Sequence, residues 1–204
     1  MINFRKATFK NFLIFGDEPQ TIEFNRKGIR YIFGKNNDIV QDDDSFNKEE
    51  YDEKDISSGS GKSTIPIGLL YGPYGVVQKK DKIALPRIVN KKYKKNCLVE
   101  TEFDIDGKDI YLVKRYRAYK EFGGNALYFY KWNKDKNDWD NLSRADSDET
   151  QEKINKIIGI NYATALKSIL LSRDDTKDFL DMAAGDRFKI FENIFDTCYC
   201  HGDV

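Results

Sequence analysis

The chain has 204 residues, enough for one domain with a sizeable core, and Lys+Arg and Asp+Glu both number 34, so the formal net charge is zero. No global charge draws it to nucleic acid, and no apolar run approaches membrane-spanning length. Met1-Ile2-Asn3-Phe4-Arg5 runs into polar alternation rather than a secretory leader, and Cys97, Cys198 and Cys200 are too few for a disulfide framework, which suits a reducing cytoplasm.

In chain order, Phe4 to Phe12 alternates as a strand. A turn at Gly16-Asp17-Glu18-Pro19 leads to a second strand at Thr21 to Phe24. Arg30-Tyr31-Ile32-Phe33 is a short apolar run ending at Gly34, which predicts a third strand feeding a loop. Gly34-Lys35-Asn36 and Gly59-Ser60-Gly61-Lys62-Ser63-Thr64, read together, complete G-x-x-x-x-G-K-[S/T]. That pattern supplies glycines for an unhindered loop whose N–H groups wrap phosphates, a lysine for their charge and a hydroxyl for magnesium. An uninterrupted reading ending at Lys62 and Ser63 would put Ile56 where the first glycine belongs, behind the charged run Glu49 to Asp55. The split reading is therefore preferred, with residues 37–58 as an insert inside the loop.

The insert carries Asp38, Asp42, Asp43, Asp44, Glu49, Glu50, Asp52, Glu53 and Asp55 against Lys48 and Lys54. Closing a loop of this length costs about 2–3 kcal/mol, which surface insertions usually tolerate. Its carboxylates would repel a triphosphate unless they swing into solvent. It reads either as a solvated excursion or as a regulatory or metal-attracting flap.

Ser63 to Gly72 is apolar at helical spacing, with Pro66 in the first turn and Gly72 as the expected C-cap. Lys79, Lys80, Lys82, Arg87, Lys91, Lys92, Lys94 and Lys95 then form a basic stretch, either an exposed loop or a contact to a phosphate backbone. Leu98 to Ile105 alternates, turns at Asp106-Gly107 and continues from Ile110 to Tyr116, a strong hairpin signal. Ala126 to Trp132 and a strand near Trp139 extend this antiparallel region. Asp146 with Glu149 resembles a capping box opening a helix that Gly159 stops; Tyr162 to Leu166 and Phe188 to Phe195 are also helical. Cys198-Tyr199-Cys200-His201 offers at most three crowded ligands with no second cluster, so a zinc site is not expected.

Lys10-Asn11-Phe12-Leu13-Ile14-Phe15-Gly16, the split phosphate loop, Leu69-Leu70-Tyr71-Gly72, Val113-Lys114-Arg115, Ile157-Ile158-Gly159-Ile160 and Arg187 to Phe195 together resemble a known family. It is the N-terminal half of the ATPase head in SbcC-type, SMC-related double-strand-break repair proteins, which in phages form the large subunit of the recombination endonuclease. The resemblance covers nearly the whole chain and implies an α/β P-loop NTPase fold of ABC/SMC type. It implies an N-terminal lobe with a mixed sheet, an antiparallel β-subdomain and C-terminal helices, spanning 1–196, with 197–204 a divergent tail.

The implied ligands are ATP and Mg2+. Lys62 would reach the β- and γ-phosphates and Ser63 would ligate the metal. Gly34, Lys35, Asn36, Gly59, Ser60, Gly61 and Thr64 would line the phosphates, and Asn11, Phe12 and Leu13 would lie near the adenine. The implied partners are a repair nuclease subunit, a complementary C-terminal ATPase half, a second head and DNA, with no membrane, in the cytoplasm or, for a phage, the host cytoplasm.

Three departures qualify the resemblance. The first is the acidic insert. The second is Arg173, which stands where the family presents a glutamine; an arginine cannot ligate a cation but can pair with a phosphate. The third is the absence of a signature motif, an acidic strand-end motif and a heptad coiled coil, which suggests truncation, an interrupted gene or a standalone remnant. No catalytic residue is therefore assigned. The competing reading is a non-catalytic relic, or an inhibitor or interaction protein that retains the head fold.

Overall fold

The computed structural model describes residues 2–25, 28, 31–33, 61–77, 85–168 and 182–195. Six strands make one antiparallel sheet: β1 (Ile2–Lys10), β2 (Gln20–Glu23), β3 (Cys97–Ile105), β4 (Asp109–Tyr119), β5 (Gly124–Asn133) and β6 (Asp138–Asn141), in the order β2-β1-β3-β4-β5-β6. The α/β fold class stands. Among the described residues all six strands, those of the expected antiparallel region included, belong to one continuous sheet. The reason is that β1 pairs directly with β3, Ile2 opposite Ile105 through Lys10 opposite Leu98, which joins the N-terminal strands to the hairpin strands.

The β3–β4 hairpin turns at Asp106 (φ 52°) and Gly107 (φ 69°), as the Asp-Gly pair predicted. Asp104 accepts the Gly107 amide at 2.8 Å. Along β3, Cys97, Val99, Thr101 and Phe103 are buried on one face, with Val113 of β4 and Leu127 and Phe129 of β5. The opposite face carries crossing charges, among them Lys114–Glu100 at 2.9 Å and Arg5–Glu102 at 3.1 Å.

Helix α1 (Thr64–Tyr74) covers the buried face of the sheet, contacting β1, β3 and β4. From Leu69 to Tyr74 every residue is buried, so this helix is apolar on all sides, being enclosed between the sheet and helices α2 (Ser147–Ile158) and α3 (Tyr162–Ser168). Helix α4 (Ala184–Phe195) contacts α3.

Glycines allow α1 this approach. A Cβ at Gly68 would run into the Phe9 ring, and one at Gly72 would overlap the Thr101 side chain. Gly72 is thus a packing residue and not the expected C-cap. The helix runs on to Tyr74, and Gly75, at φ 69°, donates its amide to the Tyr71 carbonyl at 2.8 Å. Pro66 does lie in the first turn, while α2 opens on Asp146, whose carboxylate accepts the Asp148 amide at 3.1 Å, and closes on Gly159 at φ 76°.

Of the strand expected at Arg30 to Phe33, Arg30 lies outside the described residues, and residues 31–33 join no ladder among the described residues, with Tyr31 and Phe33 77% and 89% exposed. A short apolar run becomes a strand only where neighbouring strands take up its N–H and C=O groups. In the described sheet β2 and β6 are the edges, and neither pairs with it. Strand β1 likewise ends at Lys10, two residues early, because Asn11 (φ 49°) and Leu13 (φ 51°) turn left-handed.

The close helix–sheet contact sets a first expectation. Alanine at Gly72 gains about 0.5–1 kcal/mol of helix propensity, but wedging a methyl onto Thr101 costs about 1–3 kcal/mol. Gly72→Ala should therefore lower stability by up to about 2.5 kcal/mol in urea unfolding, whereas a glycine inside a helix with open space around it would have gained.

Candidate phosphate site and its supporting loop

Of the split phosphate loop, Gly61, Lys62, Ser63 and Thr64 lie in the described residues, at the start of α1. Gly34, Lys35, Asn36, Gly59 and Ser60 lie outside them, as do Arg173 and the insert 37–58. Gly61 has φ +79°, a conformation that favours glycine, and a Cβ there would overlap the Ile14 side chain. The last glycine of the motif is therefore required both by its backbone and by a neighbour. The Thr64 amide bonds back to the Gly61 carbonyl at 2.9 Å and that of Ile65 to Lys62 at 3.3 Å, winding the helix start into tight turns. Ser63 is exposed, Lys62 half-buried and Thr64 buried, so the hydroxyl presented outward is that of Ser63. Ser63 caps nothing with its own side chain.

Ile14 belongs to the Asn11–Gly16 loop that links β1 to β2. Its left-handed residues fold it tightly: Asn11 donates its amide to the Gly16 carbonyl at 2.8 Å, and Phe15 to Phe12 at 2.9 Å. The Asn11 side-chain amide donates to the Asp17 carboxylate at 2.8 Å, while its own Oδ1 is buried without a hydrogen-bond partner. Phe12 is fully buried and stacks on Tyr71. The side chains of Asn11 and Phe12 thus build the loop from inside; Leu13, half-buried, packs on the core, and Ile14, 54% exposed, forms the surface against Gly61.

Asn90, which the sequence reading did not single out, holds this loop in place. Its Nδ2 donates to the carbonyls of Leu13 and Phe15, at 2.9 and 3.0 Å, and its backbone amide donates to the Asn11 carbonyl at 2.8 Å. Its Oδ1 accepts the Lys92 amide at 2.9 Å, an Asx-type turn that folds the basic stretch back on itself. The Leu13 amide reaches the Ile88 carbonyl at 2.7 Å, and Phe12 bridges to Val89. An asparagine ahead of a lysine run was the available signal, pointing to a turn.

Behind α1 lies a cationic core. Arg115 donates through Nε to the Gly72 carbonyl at 3.1 Å and through Nη2 to Gln151 Oε1 at 2.6 Å, and stands over the Tyr71 ring at 5.5 Å. Its charge meets the carbonyl end of α1 rather than a carboxylate, which suits the helix dipole. Burial still pulls its guanidinium down to about 10. Arg117 donates to the Tyr71 hydroxyl at 2.7 Å, and burial raises that phenol against the pull of both arginines. Burial likewise pushes the Cys97 thiol up to about 12, which makes it a packing group and not a nucleophile. Among the described residues no cluster of His, Cys, Asp and Glu could hold a metal, and no helix is long and apolar enough to cross a membrane.

No family model matches the chain, and no curated protein matches it. One solved structure that it resembles comes from work on the structural biochemistry of ATP-driven dimerization and DNA-stimulated activation of SMC ATPases. The TM-score is 0.55 at 19% identity, over 94% of this chain and 98% of that chain. The fold is that of an SMC-type ATPase head. The SMC-type architecture inferred from Lys10 to Gly16, Lys62 and Val113 to Arg115 is thereby met at the level of fold.

Asn90 gives the second expectation. Asn90→Ala strands the Leu13 and Phe15 carbonyls and should cost about 1–3 kcal/mol. Hydrogen exchange at the Leu13 amide should accelerate with it, and Asn90→Asp, which sets a carboxylate against two carbonyls, should be at least as damaging.

Proposed function

We propose that the chain is the nucleotide-binding half of an SMC-type ATPase head, acting in DNA double-strand-break repair or recombination. The observation that carries this is Gly61: left-handed, wedged against Ile14, and followed directly by Lys62 and Ser63 at the start of α1. A glycine confined on both counts, ahead of a lysine and an outward hydroxyl, fits a phosphate loop. In this reading Lys62 would reach the β- and γ-phosphates of ATP and Ser63 Oγ would hold magnesium, which when bound would neutralise phosphate charge. Gly34, Lys35, Asn36, Gly59, Ser60, Gly61 and the Thr64 backbone would complete the cradle, Arg173 would pair with a phosphate, and the loop that begins Asn11-Phe12-Leu13 would lie beside the adenine.

Holding a nucleotide is less than hydrolysing it. In-line attack needs a residue that positions water and a surface that completes the site. In this proposal the residues 1–196 form the head lobe, and turnover requires a complementary C-terminal half and a second head. Dimerization driven by ATP and activation by DNA are described for the SMC ATPases of similar fold. Here a second head, DNA and a repair nuclease subunit are the proposed partners, in the cytoplasm.

A second reading has its own support. Residues 31–33, ahead of Gly34, are exposed and in no ladder, although a phosphate loop is normally fed by a buried strand. That favours a non-catalytic relic or an inhibitor of a full-length ATPase. Titration with Mg·ATP separates the two. On the first reading the wild-type chain binds, Lys62→Ala weakens binding by about tenfold or more, and turnover by the isolated chain is negligible. Binding seen only after deletion of residues 37–58 supports the second. Brisk hydrolysis by the purified chain, lost in Lys62→Ala, would overturn the requirement for a missing half.

A further inference from the structure

We propose that the chain carries a second phosphate-binding site, separate from the Gly61–Thr64 turn, in a basic cavity between the Arg87–Lys94 segment and the end of β4. The cavity has a volume of about 860 Å³ and is lined by Arg87, Lys91, Lys94 and Arg117, together with Asn90 and Asn125, and by no acidic residue. Among the described residues none of the four cations has a carboxylate within ion-pair distance. Six described cations elsewhere do have a carboxylate partner: Arg5 and Lys6 with Glu102, Lys10 with Asp17, Lys114 with Glu100, Lys131 with Asp109 and Lys136 with Asp140.

The cavity is also built. Arg117 is tied through Nε to the buried Tyr71 hydroxyl, which aims its guanidinium. The next residue, Ala118, sits at φ 48° where the β4–β5 register shifts between Tyr116 and Tyr119, a strained bulge of the kind that redirects a side chain. The Ala118 carbonyl accepts the Asn96 amide at 2.9 Å, and its own amide reaches Asn125 Oδ1 at 3.3 Å. Opposite, Asn90 fixes the segment that bears Lys91 and Lys94.

Four like charges around one cavity repel each other, and only an anion of high charge density relieves that. Phosphate groups in series meet the requirement, with arginine forks and lysine ammonium groups as their usual partners, whereas a peptide carboxylate brings one charge per residue. The ligand class is a polyphosphate or phosphodiester anion. Its source is either a free phosphate compound or a nucleic-acid strand.

The test titrates the full chain with sodium tripolyphosphate and, separately, with a short single-stranded oligothymidylate. Lys91→Gln/Lys94→Gln, both exposed, is compared with Lys62→Ala, and Arg87→Gln, also exposed, serves as a second variant. The expected result is a loss of about tenfold or more in affinity for at least one probe in the cavity variants, with the oligothymidylate affinity of Lys62→Ala close to wild type and any Lys62→Ala effect on tripolyphosphate additional to that of the cavity variants. A response confined to tripolyphosphate assigns a free anion. A response to the oligonucleotide, with a salt slope shallower by roughly 1.4 in the double variant, assigns a strand. No binding of either probe, or binding insensitive to the cavity variants, overturns the site. Loss in Lys62→Ala alone also overturns it and leaves the nucleotide reading standing.

Discussion

The contact on which the rest depends is the descent of α1 onto the sheet. Two glycines one turn apart, Gly68 over Phe9 and Gly72 over Thr101, remove the atoms that would otherwise hold helix and sheet apart. The consequence appears at both ends of the helix. At its start, Gly61 is pressed onto Ile14, so the phosphate-loop residues meet the Asn11–Gly16 loop. At its end, the carbonyls of the last turn come within reach of Arg115 on β4. The approach has a cost: the Thr101 hydroxyl is sealed beneath Gly72 with no hydrogen-bond partner, a loss of about 1–3 kcal/mol offset by the surrounding apolar burial.

Arg115 turns a helix terminus into a junction. A buried guanidinium without a carboxylate is normally unfavourable, yet here it is met by the Gly72 carbonyl, the Gln151 oxygen and the face of Tyr71. Gln151 also donates to the Pro73 carbonyl at 2.8 Å, so α2 is fastened to the end of α1 through the same group of atoms. Sheet, first helix and second helix converge there. Substitution by lysine would not be conservative, because a single ammonium cannot reproduce the planar fork that spans α1 and α2.

Much of the architecture was legible because it rests on local signals. The alternation from Leu98 to Ile105, the Asp106-Gly107 turn, the Asp146 cap and the Gly159 stop each state a backbone preference that the tertiary fold does not oppose. The misreadings share a different cause. Gly72 carries the signature of a C-cap, but Gly75 three residues on satisfies the same rule, and only the nearness of Thr101 decides between them. Residues 31–33 have strand composition, but a strand is a relation between segments, and no described partner reaches them. The candidate site was legible as a motif and not as a surface: Lys62 and Ser63 follow from a pattern, whereas Asn90 and Arg117 act through contacts with Leu13, Phe15 and Tyr71 that no spacing rule encodes.

The Asn11–Gly16 loop gives the two cationic regions a physical connection. On one side Ile14 fills the space that Gly61 leaves; on the other, the Leu13 and Phe15 carbonyls are held by Asn90, which also lines the basic cavity. The loop is short, internally bonded and anchored by the buried Phe12 ring, so it moves as a body if it moves at all. A displacement of Lys91 and Lys94 transmitted through Asn90 would therefore reach Gly61 through Ile14, with no contact required between the two sites. Coupling along that path would be reciprocal, an anion in the cavity and a ligand at the turn before α1 changing each other's affinity by the same factor. In a chain whose net charge is zero, the grouping of Arg87, Lys91, Lys94 and Arg117 around one cavity is a local asymmetry that the total conceals.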